Sequence, residues 1–145
     1  MFRGRSRHTL DEKGRLAIPA RFREVLDRKG EEWVVVTHKD DSLWTFSRDD
    51  WRLLEEKAAS LPLFDNDGIA FLRYFISGAE ECKVRNGRIT IPQNLRNDAG
   101  LHKEVVLAGQ LKRFEIWDSQ KWEAEFRRVK EAFPEASQSL SELRI

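Results

Sequence analysis

Two residues four positions apart pose the first chemical question: Asp11 and Arg15, in the stretch LDEKGRLAIPARFR (10–23). A carboxylate set across a tight turn from an arginine accepts hydrogen bonds from the turn's backbone N–H groups and pairs with the guanidinium, which reduces the rotamer entropy lost on binding. A guanidinium held in this way presents a donor fork that matches a carboxylate, a phosphate, or the O6/N7 edge of guanine. Taken alone, such a turn is commonly a hairpin with an exposed ion pair worth ~0–1 kcal/mol. The chain does not leave it alone: VRNGRITIPQNLR (84–96) repeats it, with Gly87-Arg88 for Gly14-Arg15 and Ile91-Pro92 for Ile18-Pro19.

Other chemistries find little support. There is no glycine-rich phosphate loop ahead of a helix and no G-x-S-x-G. The single cysteine, Cys82, has no second thiol for a disulfide and no plausible histidine partner, and His8, His38 and His102 lie too far apart for a zinc spacing. Abundant carboxylates in a charged chain are solvated surface, so they nominate no general acid. We expect no enzyme, no cofactor and no metal.

The elements that would position the turn recur with it. WVVVTH (33–38) and LWTFSRDDW (43–51) correspond to EVVLAG (104–109) and FEIWDSQKW (114–122), so that Leu43, Phe46 and Trp51 match Phe114, Trp117 and Trp122. The offset is 71 here against 73 in the hairpin. This is a tandem duplication. Each unit reads as strand, turn, strand, short helix, strand, strand, helix. Gly14 suits a positive φ at the turn's end, and Pro19 suits the first turn of a helix whose Phe22, Val25 and Leu26 share a face. Ser47 with Asp50 marks the start of the next helix, with Trp51, Leu54, Ala58 and Leu61 at helical spacing. In the second unit Asp118 is placed to cap, Trp122, Phe126, Val129 and Phe133 follow, and Pro134 is expected to end the helix.

The expected divisions are a first unit (1–62), a bridging helix (63–80) capped near Asp65 or Asp67 and stopped at Gly78, a second unit (81–134) and a C-terminal tail (135–145). Neither unit is large enough to bury an adequate core alone, so one shared core with internal pseudo-twofold symmetry is expected. The hydrophobic fraction of 40% supports such a core. No membrane-length apolar run and no signal-peptide pattern is present, which points to the cytoplasm. Net charge is only +1, but residues 1–23 carry seven basic side chains against Asp11 and Glu12 while the remaining 122 residues are net acidic. The basic charge is local.

The opening MFRG, DEKGRLAIPARFR, the second GRITIP, and AGLHKEVVLAGQLKRFEIWDSQKW (99–122) together resemble the MraZ family, and the resemblance spans nearly the whole chain. It implies an α+β fold of two tandem AbrB-like swapped-hairpin units, related by a pseudo-twofold axis and forming a small β-barrel flanked by helices. It implies a bacterial, sequence-specific transcriptional repressor, nucleoid-associated, whose ring-shaped homo-oligomers bind G-rich direct repeats in double-stranded DNA upstream of the division and cell-wall gene cluster, including the family's own gene. Its D-x-x-x-R signature falls intact on Asp11 to Arg15. The second copy departs from it: Val84 stands four residues before Arg88, and the segment from Cys82 to Arg88 is one residue shorter.

On this reading Arg15 contacts guanine edges, and Asp11 either preorganises it or serves only the turn. Lys13, Arg3, Arg5 and Arg7 contact phosphates, and Gly14 shapes the tip. Arg85 and Arg88 flank a two-residue Asn86-Gly87 turn of type I′, with DNA contact and plain solvation both open. Arg21 and Arg23 read as a solvated face or subunit contact, and the five tryptophans as packing. The competing function is a ring-forming interaction protein whose basic loops dock an acidic protein partner.

Overall fold

The computed structural model describes all 145 residues. The first half runs β1 (Arg5–Thr9), β2 (Arg15–Ala17), α1 (Ala20–Arg28), β3 (Trp33–Lys39), β4 (Ser42–Ser47) and α2 (Arg48–Ala58). After α3 (Asn66–Phe71) and one π-helical turn (Leu72–Ile76), the second half repeats it as β5 (Glu80–Lys83), β6 (Arg88–Thr90), α4 (Gln93–Asp98), β7 (Glu104–Gln110), β8 (Arg113–Asp118) and α5 (Ser119–Ser139), with a short 3₁₀ turn (Ser141–Leu143) after it. Local chemistry sets several boundaries. Pro19 and Pro92 immediately precede α1 and α4, where a missing N–H costs no helical bond. Ser47 Oγ accepts from Asp50 N at 3.3 Å, and Asp49 and Asp50 complement the dipole of α2.

Six strands form one antiparallel sheet in the order β1-β7-β8-β4-β3-β5, while β2 and β6 pair only with each other. Exchanging the halves reverses the sheet onto itself, so a pseudo-twofold axis passes between β4 and β8 and between β2 and β6. The edge strands are exchanged: β1 of the first half pairs with β7 of the second, and β5 of the second pairs with β3 of the first. Neither half therefore owns a complete sheet. The core is common to both: Leu16, Phe22, Val34 and Leu43 pack with Ile89, Leu95, Val105 and Phe114 in one cluster. At its centre Phe2 and Phe22 lie 5.1 and 4.9 Å from Phe114, ring to ring.

Three local expectations change. No closed barrel is found: the sheet is open, with β1 and β5 at its edges and the β2–β6 ribbon separate from it. The last helix does not stop at Pro134 but runs on to Ser139, taking up part of the expected tail. An interior proline removes one backbone bond and crowds the carbonyl four residues before it, at a cost of about 3 kcal/mol, yet the helix continues between the good helix formers Glu131, Ala132, Glu135 and Ala136. Asp118 sits at the head of α5 but makes no capping bond. Its carboxylate instead accepts from His102 N at 3.0 Å and lies 3.0 Å from His102 Nδ1.

Candidate nucleic-acid interface

The β2–β6 ribbon lies across the pseudo-twofold axis in the register Arg15–Thr90, Leu16–Ile89 and Ala17–Arg88. Strand alternation sorts its side chains. Leu16 and Ile89 are buried in the shared core, and Arg15, Ala17, Arg88 and Thr90 face outward. Arg15 and Arg88 are diagonal neighbours, about 7–8 Å apart across the ribbon and somewhat closer at Cβ. Ala17 and Thr90, the other two corners, are small enough to let a flat partner approach.

The two turns differ in construction. Gly14 N bonds Asp11 O at 3.0 Å and Asp11 N bonds Arg15 O at 3.2 Å, closing a three-residue loop with Gly14 at φ +84°. Asp11 Oδ1 accepts from Lys13 N at 3.0 Å and from Arg15 N at 2.8 Å, and Oδ2 accepts from Arg15 Nε at 2.5 Å. These contacts, led by the Arg15 backbone N–H, hold the Asp11 carboxyl below its ordinary value. Because the pair uses Nε, both terminal Nη groups of Arg15 remain free to donate. The second turn is tighter: Arg85 and Arg88 exchange both backbone bonds, at 2.8 and 2.9 Å, around Asn86 (φ 51°) and Gly87 (φ 72°). This is the expected two-residue I′ geometry.

Backbone equivalence assigns the missing residue. Leu10 N bonds Lys103 O as Val84 N bonds Glu32 O, so Val84 is the counterpart of Leu10. Arg85 therefore occupies the position of Asp11, a reversal of charge. Arg88 makes no side-chain hydrogen bond or ion pair within 4.0 Å, whereas Arg15 is braced. Lys13 and Arg85 are exposed at opposite ends of the ribbon.

Arg3, Arg5 and Arg7 are not brought to this surface. Arg5 and Arg7 project from the face of the main sheet opposite the ribbon. There Arg5 lies 4.7 Å over the Phe126 ring, and Arg7 bonds Ser119 Oγ at 3.0 Å and pairs with Glu123. Arg3 is exposed beside Gly109, at the end of β1 remote from the turn. The five residues of β1, about 17 Å at strand rise, intervene.

Two arginines that sequence reasoning assigned elsewhere or passed over support the ribbon. Arg23 Nε donates to Ile18 O at 3.1 Å and Arg96 Nε to Ile91 O at 3.0 Å. Each also backs the opposite half's turn: a Cβ on Gly87 would stand 3.1 Å from Arg23, and one on Gly14 would stand 2.7 Å from Arg96 and 2.6 Å from Ile91 O. The signal was present in the repeat as I-P-x-x-x-R in both copies. His38 and Cys82 are structural: His38 bridges Asp98 at 2.8 Å and the Tyr74 carbonyl at 2.6 Å, and Cys82 is buried in the core. No three His, Cys, Asp or Glu side chains converge as a metal site. No helix is long and apolar enough to cross a membrane.

Fold and site together define a duplicated α+β protein that presents an arginine-bearing two-stranded ribbon at its internal axis. The profile of the family described as "MraZ protein, putative antitoxin-like" matches it twice, over residues 1–74 and 75–142. The protein is 47% identical over 123 residues to the "Transcriptional regulator MraZ" of Alkaliphilus metalliredigens, covering 84% of each chain. It is 43% identical to the protein of that name from Ligilactobacillus salivarius, over 97% of this chain and 96% of the relative. With that from Desulfitobacterium hafniense it shares 43% identity over the full length of both. The chain belongs to the MraZ family.

Proposed function

We propose that this chain is a sequence-specific, DNA-binding transcriptional repressor that inserts the β2–β6 ribbon into the major groove. The observation that carries this reading is the Asp11–Arg15 brace on an exposed ribbon, with both Nη groups of Arg15 free. A two-stranded ribbon fits a groove about 12 Å wide, and a braced fork matches guanine O6 and N7. Arg15 reads bases. Asp11 preorganises it, Gly14 shapes the tip, and Lys13, Arg85 and Arg88 contact phosphates on either side. Arg3 is remote from the ribbon, and Arg5 and Arg7 serve the packing of α5.

The names of the relatives support transcriptional regulation, and the family resemblance supports the finer reading. That reading is G-rich direct repeats upstream of the division and cell-wall gene cluster including the protein's own gene, action at the nucleoid, and a ring-shaped homo-oligomer whose copies meet successive repeats and gain avidity. The exchange of β1 and β5 supports two swapped-hairpin units, residues 1–62 and 81–134, joined through 63–80. Selection of bound fragments from genomic DNA tests the function. Wild type should enrich guanine tracts repeated in one orientation, and Arg15→Ala should enrich none. Enrichment by Arg15→Ala equal to wild type removes Arg15 as the reader. Retention of no duplex by either protein, with capture of an acidic protein instead, rejects the DNA reading.

A further inference from the structure

One apolar seam runs the length of α5 at spacings of three and four residues. It begins with Trp122, which meets Trp117 edge-on at 5.9 Å, and Phe126, stacked on Trp122 at 5.8 Å. It then continues through Val129, Phe133, Ala136 and Leu140 with nothing over it: Phe133 is 65% exposed and Leu140 46%. The first half of α5 lies on β7 and β8 and takes the Arg5 and Arg7 side chains of β1, all of them at or before Phe126. From Val129 to Leu140 the seam is about 18 Å long.

The counterpart helix, α2, is 11 residues long against 21. Because α3 and the π turn fold back beside it, Phe75 packs against Trp51 at 5.6 Å. What remains between α2 and α3 is an open groove of about 390 Å³, floored by Leu54, Ala58, Leu61 and Phe71 and rimmed by Lys57, Asp65 and Asp67. At about 16 Å, α2 matches the seam in length.

The seam belongs to the second half and the groove to the first. Each is an uncovered apolar surface of the kind that marks an interaction site. Pairing two α5 seams with each other would leave both grooves bare, whereas seating a seam in a groove covers both. The charges agree: Lys130, which flanks the seam on α5, is opposite in sign to Asp65 and Asp67 on the rim of the groove. One seam and one groove per chain give a heterologous contact that repeats from copy to copy.

We propose that the Val129–Leu140 seam of α5 docks in the α2–α3 groove of a second copy of this chain, joining copies head to tail. This deepens the assembly proposed above and is independent of the DNA reading. Light scattering on size-separated full-length protein tests it with Phe133→Glu for the seam and Leu61→Glu for the groove, folding being checked by circular dichroism. Each variant should associate about 10- to 100-fold more weakly than wild type and run as a monomer. Mixed, they should form a 1:1 dimer and nothing larger, because one intact seam meets one intact groove. If Leu61→Glu does not fold, the exposed rim change Asp67→Lys is substituted and should weaken assembly by a smaller factor. Assembly unaffected by Phe133→Glu, or a mixture that stays monomeric, overturns the interface while leaving the assembly standing. A monomeric wild type overturns both.

Discussion

The sharpest consequence of the ribbon's geometry is that its two outward arginines are not interchangeable. Arg15 is held by Asp11 through Nε, with its fork end free, while Arg88 has no acid near it and Arg85 stands where the acid would be. A bidentate arginine–guanine contact is worth about 1–3 kcal/mol against the wrong base. Arg15→Ala should therefore lower the affinity of each engaged copy for its own site by about 5- to 150-fold, with a much smaller effect on shuffled duplex. On the proposed reading Arg88→Ala removes a phosphate contact only. It should weaken both duplexes by the same factor and reduce the slope of log K against log salt by about 0.9. Asp11→Asn separates two roles, since its amide oxygen still accepts from Lys13 N and Arg15 N but the ion pair is gone. Freeing the Arg15 rotamer is worth about 0.5–1.5 kcal/mol, so specific affinity should fall about 2- to 12-fold. Fluorescence anisotropy titrations on repeated and shuffled duplex at three salt concentrations give all of these quantities. If Arg88→Ala lowers the ratio of specific to shuffled affinity as far as Arg15→Ala does, the preorganisation argument is refuted.

Two further predictions concern the turn and the core. The Asp11 carboxyl is held below its ordinary value chiefly by the Arg15 backbone N–H and then by the guanidinium, so its pairing favours the folded state above the unfolded carboxyl pKa of about 4 and is lost as pH falls through the lower folded value. Carbon-detected NMR should show this depressed titration, with Arg15→Ala moving it part of the way back; an unchanged titration in that variant would mean the guanidinium contributes nothing to holding the carboxyl. Phe22 is fully buried against Phe2 and Phe114, so Phe22→Ala should cost about 3–5 kcal/mol and lower the melting temperature by roughly 10–15 °C in one transition. Two separate transitions would show that the halves do not share a core.

The duplication was legible because the same motifs recur at offsets of 71 and 73, and the element order and the Asp11–Arg15 brace because each rests on local spacing. Ser47 capping α2 and the Asn86-Gly87 turn were legible for the same reason. Strand exchange was implied by the family resemblance but not by local spacing, since nothing within β1 records that β7 rather than β3 offers its edge; that choice is made by the common core. Arg5 and Arg7 show the limit of charge counting. They share one face of an edge strand, and α5 reaches that face from far along the chain, its Ser119 and Glu123 lying 112 and 116 residues from Arg7. The shorter second turn was visible in sequence, but only the backbone bonds of Val84 and Arg85 reveal which residue took the acid's place. Arg23 and Arg96 were visible as a repeated spacing, yet their contacts to the opposite half's turns depend on the ribbon that brings the halves together.

A twofold backbone carrying unequal side chains has a consequence for the site it reads. If both turns were braced, the ribbon would present the same fork in both orientations along a duplex and would suit a palindrome. Here the axis through Leu16 and Ile89 relates a braced arginine to an unbraced one, so on the proposed reading exchanging the ends of the ribbon exchanges reader for phosphate contact. Binding in one orientation then exceeds the other by the worth of the guanine contact, and each copy takes a direction on the DNA. Copies joined seam to groove all point the same way, as a head-to-tail contact requires. Directional readers in a directional assembly should therefore select guanine tracts repeated in one sense, and tracts selected equally in both senses would break this link between the ribbon's asymmetry and the arrangement of its sites.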